Sequence, residues 1–290
     1  ILYDVTNTVL VKHVEPSPDN NIYVYIPSPL LDTVLEAQVN RLFQFFKQTF
    51  WCNLEVFLCT QAAQALCKRG ENLDRCFIGE SPGGVGQSLF TAHLAAVYKH
   101  NHSYFDPNVW YMDEELRKQI EEFCDSFILT GQETPNGARQ LREDLFKKTM
   151  SADGIPGRKP YGLQTRMLEL VGWKRLELNK MLRFAGVTET NFNSILRRCF
   201  VWKPKARFWD AEYLKKYYPD SHLDGIFPKC AELRNFLVSP GAVAASLKIQ
   251  YGFELKHGKE ECRQMIENYV VLGGDEGLTN ERMRFACGLK

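Results

Sequence analysis

The residue types best suited to chemistry lie in one stretch, Cys76-Phe-Ile-Gly-Glu-Ser-Pro-Gly-Gly-Val-Gly-Gln-Ser-Leu-Phe-Thr-Ala-His-Leu94. The apolar run Cys76 to Ile78 reads as the end of a buried strand. Ser88 to Tyr98 has the apolar spacing of a helix, and a loop rich in glycine lies between them. Strand, glycine loop and helix in that order are the context of a phosphate-binding loop. Its glycines turn successive backbone N–H groups inward, and the helix N-terminus adds partial positive charge. On the eight-residue phosphate-loop pattern, Ser81 takes the first glycine position, and Gly83, Gly84 and Gly86 follow. Ser88 stands where a hydroxyl ligates Mg²⁺, so ATP with Mg²⁺ is the ligand to expect. The lysine position holds Gln87. Its amide donates hydrogen bonds but brings no charge to the phosphates. Glycine loops also occur as plain turns, so this stretch alone does not decide the function.

A phosphate loop needs a carboxylate at the end of a nearby strand, to hold the metal or polarise the attacking water. Phe127-Ile-Leu-Thr-Gly-Gln-Glu133 offers the better strand, with Glu133 at the C-terminal edge where ligands sit in open α/β sheets. Val109-Trp-Tyr-Met-Asp113-Glu114 is the alternative, read more simply as a short strand and a solvated helix start.

The elements around these residues suit an α/β protein. The 290 residues suffice for a sizeable core, and 44% hydrophobic with 24% charged is ordinary globular composition. The net charge of +1 gives no global basic field, so contact with nucleic acid must come from a local patch. Nine cysteines, an odd number without a Cys-x-x-Cys, favour reduced thiols inside a cell: nucleus, cytoplasm or a viral replication site. No apolar run is long enough to span a membrane. The chain begins at Ile1 rather than Met, as a segment of something longer would.

Along the chain, Thr8–Lys12 and Asn21–Pro27 read as strands, and Leu31–Lys68 as two helices. Asp113–Glu122 and Asn136–Met150 read as helices, Phe123–Thr130 and Asn193–Trp202 as strands, and Leu163–Leu178 fits either. His100–Pro107 reads as loop. From Asp210 onward the pattern is helical. Three stretches follow: 1–70 as strands and a helical lead-in, 71–210 as a nucleotide-binding core, and 211–290 as a helical C-terminal region. Alternating strands and helices imply a sheet flanked by helices.

Several elements taken in order resemble the superfamily 3 helicases, in the branch found in viral and phage primase-helicases. The phosphate loop is followed by a strand ending in Glu133, then Lys147-Lys-Thr-Met-Ser-Ala-Asp153, where Ser-Ala replaces the family's Gly-Gly. Asn179 then matches the sensor asparagine, and Arg197-Arg198 the arginine finger. The resemblance covers roughly residues 54–270 and rests on order and spacing more than identity. It implies an AAA+-like sheet of the P-loop NTPase class and an ATP-driven motor acting on single-stranded or forked DNA. It also implies a hexameric ring working beside a primase, with Arg197 or Arg198 reaching the neighbour's nucleotide. Lys147, Lys148, Arg158 and Lys159 would contact phosphates in the central channel, although each also suits an ordinary solvated charge. Gln87 departs from the family where charge matters most, since loss of one such contact commonly costs about 10²–10³ in rate. The alternatives are a degenerate module kept for assembly or DNA binding, and, more weakly, a small-molecule kinase.

Overall fold

The computed structural model describes residues 2–4, 9–12, 34–81, 83–111, 113–132, 140–151, 153–157, 165–217, 225–271, 284–285 and 287–289. In chain order the strands are β1 (Leu2–Asp4), β2 (Val9–Lys12), β3 (Cys76–Glu80), β4 (His102–Phe105), β5 (Ile128–Gln132), β6 (Leu141–Arg142) and β7 (Ile155–Gly157). They continue with β8 (Arg166–Leu168), β9 (Trp173–Leu178), β10 (Phe184–Ala185), β11 (Cys199–Trp202), β12 (Arg207–Trp209) and β13 (Ile226–Pro228). The helices are α1 (Glu36–Thr49), α2 (Leu54–Lys68), α3 (Gln87–Tyr98), α4 (Asp113–Phe123) and α5 (Glu143–Met150). Then come α6 (Glu189–Leu196), α7 (Ala211–Tyr217), α8 (Ala231–Leu237), α9 (Pro240–Lys256) and α10 (Lys259–Val271). The expected strand Asn21–Pro27 lies outside the described residues.

The centre is a five-stranded sheet in the order β11-β3-β9-β5-β4, parallel throughout. A parallel sheet is normally covered on both faces, and its alternating side chains feed two cores. Phe77, Trp173 and Phe200 point to one face, where α1, α2, α3, α9 and α10 supply Phe45, Leu66, Leu94, Ala245 and Ile266. Phe77 and Phe200 stack there at 4.2 Å, and Tyr269 of α10 stacks on Phe200 at 4.3 Å. Cys76, Ile78, Leu176 and Val201 point to the other face, against α4, α5 and α6 with Leu116, Leu145, Phe146 and Ile195. The structure is therefore the α/β sheet flanked by helices anticipated above. Helices from before β3 and from the end of the chain share the first core, α2 packing on α10 and α1 on α9. No helix among the described residues is long and apolar enough to cross a membrane.

Five local expectations are corrected, the first being the helix read over Asn136–Met150: Leu141–Arg142 is strand β6, paired with β10, and the helix starts at Glu143. Val109–Tyr111 is not a strand: Pro107–Trp110 forms a 3₁₀ turn, with Pro107 at its start and Asp106 accepting the N–H of Asn108, and Met112 lies outside the described residues. Proline fixes the φ a helical first turn needs, and the aspartate satisfies one of its free donors. Residues 193–196 belong to α6, whose Phe192 and Ile195 share the buried face, and β11 starts only at Cys199. Phe123 closes α4, so the strand that follows starts later, at Ile128. His102–Phe105, expected within a loop, is the edge strand β4.

Candidate nucleotide site

The glycine loop leaves the C-terminal end of β3 and enters α3. Gly83, Gly84 and Gly86 have φ of 90°, 71° and 82°, the left-handed region that costs other residues about 1–2 kcal/mol. Gly86 is the N-cap of α3, so no side chain caps the first turn and its leading N–H groups face the loop. Ser88, in that first turn, is exposed. This combination is an anion cradle made from backbone.

Gln87 does not project into the cradle. Its Nε2 donates to the Gly79 carbonyl at 3.1 Å, and its Oε1 accepts from Ser81 Oγ at 3.2 Å. Ser81 Oγ in turn accepts the Gly83 N–H at 3.3 Å, and the Ser81 N–H donates to Leu178 of β9. Ser81, standing where the pattern has glycine, thus ties the loop to the Gln87 amide. A Cβ on Gly79 would lie 2.4 Å from Gln87 Nε2 and 3.0 Å from Trp202 Nε1, so only glycine admits the amide there.

The neighbouring strand β9 brings Glu177 into register with Gly79 on one side and Gln132 on the other. Two residues further, Asn179 is exposed, its Oδ1 3.8 Å from where a Cβ on Gly83 would be. The asparagine picked from spacing therefore faces the loop.

Beneath the loop lies a buried cluster that the sequence did not reveal. Arg175 Nη2 pairs with Glu177 Oε1 at 2.9 Å, both side chains 7% exposed. The guanidinium sits 4.7 Å from the Phe90 ring centroid and 4.9 Å from that of Trp173. Thr91 of α3 donates to Glu177 Oε1, and Gln132 Nε2 lies 3.5 Å from Glu177 Oε2. Burial pushes the Glu177 carboxyl up, opposed chiefly by Arg175. Arg175, Glu177, Phe90 and Trp173, together with Phe50, Trp202, Gly79 and Gln87, line a small space behind the loop. Arg175, the cation that shares this space with Gln87, is thus already committed to a carboxylate.

A second unanticipated contact comes from β12. The Phe208 N–H donates to the Gly84 carbonyl at 2.6 Å. Its ring closes on Gly86, where an added Cβ would meet Phe208 Cε2 at 2.9 Å.

The other sequence-based candidates are dispersed. Arg197 and Arg198 follow α6 and precede β11, which runs parallel to β3. They lie at the opposite edge of the sheet from the glycine loop, and the Arg198 carbonyl accepts the Cys76 N–H. Arg198 Nη1 also donates to the Ser194 carbonyl. The pair is therefore no part of this chain's own loop site. Lys147 pairs with Glu143 at 3.1 Å and Ser194 Oγ at 3.3 Å, joining α5 to α6, while Lys148 is exposed. Glu133, Arg158 and Lys159 lie outside the described residues. No cluster of three or more His, Cys, Asp or Glu suited to a metal occurs among the described residues. The residues present fit ATP's phosphates through backbone N–H groups and Mg²⁺ through the Ser88 hydroxyl, but they lack the usual charge at Gln87.

No family model and no curated protein matches the chain. Among solved structures it is similar to apo forms of the NrS-1 C-terminal region. Two are described as the A form, at 12% and 11% identity with TM-scores of 0.46 and 0.48. A third has 11% identity and a TM-score of 0.49. These cover 88%, 91% and 88% of this chain but only 54%, 56% and 55% of the neighbours. The chain spans little more than half the length of those structures.

Proposed function

We propose that this chain is a nucleotide-dependent motor of the superfamily 3 type, acting on single-stranded or forked DNA in replication. One observation carries the reading: an uncapped glycine nest and Asn179 meet at the C-terminal edge of a parallel sheet. In this reading the backbone of Gly83, Gly84 and Gly86 cradles the phosphates of ATP, and Ser88 with Glu133 holds Mg²⁺. Asn179 orients the γ-phosphate or the attacking water. Bound Mg²⁺ would neutralise charge building up on the transferred group. Arg197 and Arg198, at the far edge of the sheet, serve the site of a neighbouring subunit in a ring, with a primase as partner. All nine cysteines are unpaired, which suits a reducing compartment.

A second reading is supported by the bonds of Gln87. With its amide tied to Gly79 and Ser81, and Arg175 held by Glu177, neither Gln87 nor Arg175 offers the cradle a free positive charge. A module that binds nucleotide or assembles without hydrolysis fits that arrangement.

ATP binding and hydrolysis, with and without single-stranded DNA, separate the two in this chain and in Gln87→Lys. The motor reading expects turnover by the parent chain, raised by the lysine. Binding without turnover that the lysine rescues by about 10²-fold or more supports the second. No binding by either protein overturns the motor and the nucleotide-binding form of the second reading.

A further inference from the structure

Strand β12 alternates in a way that links the glycine loop to the outer surface. Phe208 is buried against Gly84 and Gly86, while Arg207 on one side of it is exposed and Trp209 on the other is half-exposed. From Trp209 the chain enters α7, which carries Tyr213 and Tyr217 at successive steps of four residues. The three rings form a ladder: Trp209 to Tyr213 is 4.9 Å between centroids at 30°, and Tyr213 to Tyr217 is 4.6 Å at 41°.

An aromatic stripe at helical spacing normally faces a core. Here α7 buries none of its residues, and Tyr213 and Tyr217 are 38% and 54% exposed. Cations surround the ladder. Lys203, Lys205 and Arg207 lead into it, Lys215 and Lys216 lie on the helix, and all five are exposed. Lys229 joins them, its N–H donating to the Trp209 carbonyl, and Lys216 Nζ sits 5.0 Å over the Tyr217 ring. The acids among the described residues of this stretch are Asp210, Glu212 and Glu232, and Asp210 Oδ1 is turned to the N–H groups of Glu212 and Tyr213. Among the described residues of 203–232, these six cations stand against three acids.

We propose that Trp209, Tyr213 and Tyr217, with these cations, form a stacking platform for single-stranded nucleic acid. Every base has a π-face, so aromatic stacking binds a strand with little regard to sequence, and the lysines meet its phosphates. A duplex hides its base faces, and an acidic peptide would satisfy the lysines while leaving the rings unused. The platform includes none of Lys147, Lys148, Arg158 and Lys159, and it stands whether or not the chain hydrolyses ATP. Through Phe208, a strand seated on it is one residue away from the glycine loop.

Fluorescence anisotropy with labelled oligothymidylate and oligouridylate, at low and raised salt, tests this on the whole chain. Both rings of the Tyr213→Ala/Tyr217→Ala variant are exposed, so its melting temperature stays near that of the parent. Its affinity for both oligonucleotides should fall at least about fivefold per ring, and Tyr213→Phe/Tyr217→Phe should retain most of it. Lys215→Glu/Lys216→Glu should weaken binding and flatten its salt dependence. Loss for one oligonucleotide only identifies the strand as DNA or RNA. Unchanged binding by the double-alanine variant overturns the platform. So does polyglutamate that binds as tightly and competes with the oligonucleotide, since this marks an acidic protein partner. ATP turnover without nucleic acid, measured on the same variants, stays at the parent level. Absent turnover with ring-dependent binding would remove the motor and leave the platform.

Discussion

Replacing Glu177 by glutamine tests how the base of the glycine loop is held together. The substitution keeps the shape of the side chain and an acceptor for Thr91, but it leaves the Arg175 guanidinium charged among Phe90, Trp173 and Thr91. Both partners are 7% exposed, so water cannot take the lost carboxylate's place. Breaking one side of a buried pair typically costs about 3–5 kcal/mol, because the remaining charge keeps its desolvation penalty. That is a large share of the ~5–15 kcal/mol that holds a domain folded. Removing both charges in Arg175→Met/Glu177→Leu removes that penalty with the attraction, and such replacements are often near neutral. Urea unfolding of the parent, Arg175→Met, Glu177→Leu and the double variant closes a thermodynamic cycle, with Glu177→Gln measured beside it. The expected result is a coupling of at least about 2 kcal/mol, with the double variant more stable than Glu177→Gln. Single losses below about 1 kcal/mol that simply add in the double variant would refute the argument, because the pair would then behave as a solvated one.

Two more outcomes follow from features of the fold. Burial holds both His93 and His102 down to about 4, from an ordinary 6.5. The unfolded chain therefore binds more protons between those values, and stability falls as pH drops through that window. The drop is about 2 kcal/mol per histidine at about pH 5. Urea midpoints should shift accordingly between neutral pH and pH 5, with about half the shift in His102→Gln, and an unmoved midpoint would contradict this. Gly86→Ala should cost about 1–3 kcal/mol, because it adds a left-handed alanine to a 2.9 Å contact with Phe208. Gly83→Ala meets only Asn179 Oδ1 at 3.8 Å and should show the backbone part alone, so equal losses would mean that the Phe208 ring does not press on the loop.

What the sequence disclosed was set by local chemistry. The strand, glycine loop and helix were legible because Gly83, Gly84 and Gly86 are needed for their own backbone angles, whatever surrounds them. Asn179, singled out by the resemblance, lies beside Gly83, its Oδ1 3.8 Å from where a Cβ there would be. The Arg175–Glu177 pair was not, because Trp173-Lys-Arg-Leu-Glu-Leu178 looks too charged for a central strand, yet all six residues are buried. Its charges are satisfied by one another and by groups that the sequence does not mark as partners. Lys174 donates to Asn72 and to the Leu73 and Leu170 carbonyls, and Glu177 accepts from Thr91. The edge strand β4 was hidden for a related reason, since its polar His102 and Ser103 find partners in Thr130 and Ser126. Phe208 could not be assigned to the loop, because nothing in its own neighbourhood indicates where its ring rests.

The two faces of the sheet differ in when their parts leave the ribosome. The core holding Ile78, Leu145 and Val201 draws almost wholly on residues 76–201, so it can close before the end of the chain is made. The opposite core needs Leu42 and Leu66 from the beginning together with Ala245 and Ile266 from near the end. Its polar ties span the same gap: Gln250 donates to the Gln61 carbonyl, and Lys68 pairs with Glu254. Contacts so far apart in the chain close slowly. Until α9 and α10 arrive, the apolar faces of α1 and α2 have no final cover, and this is the interval in which the nascent chain is most exposed to aggregation.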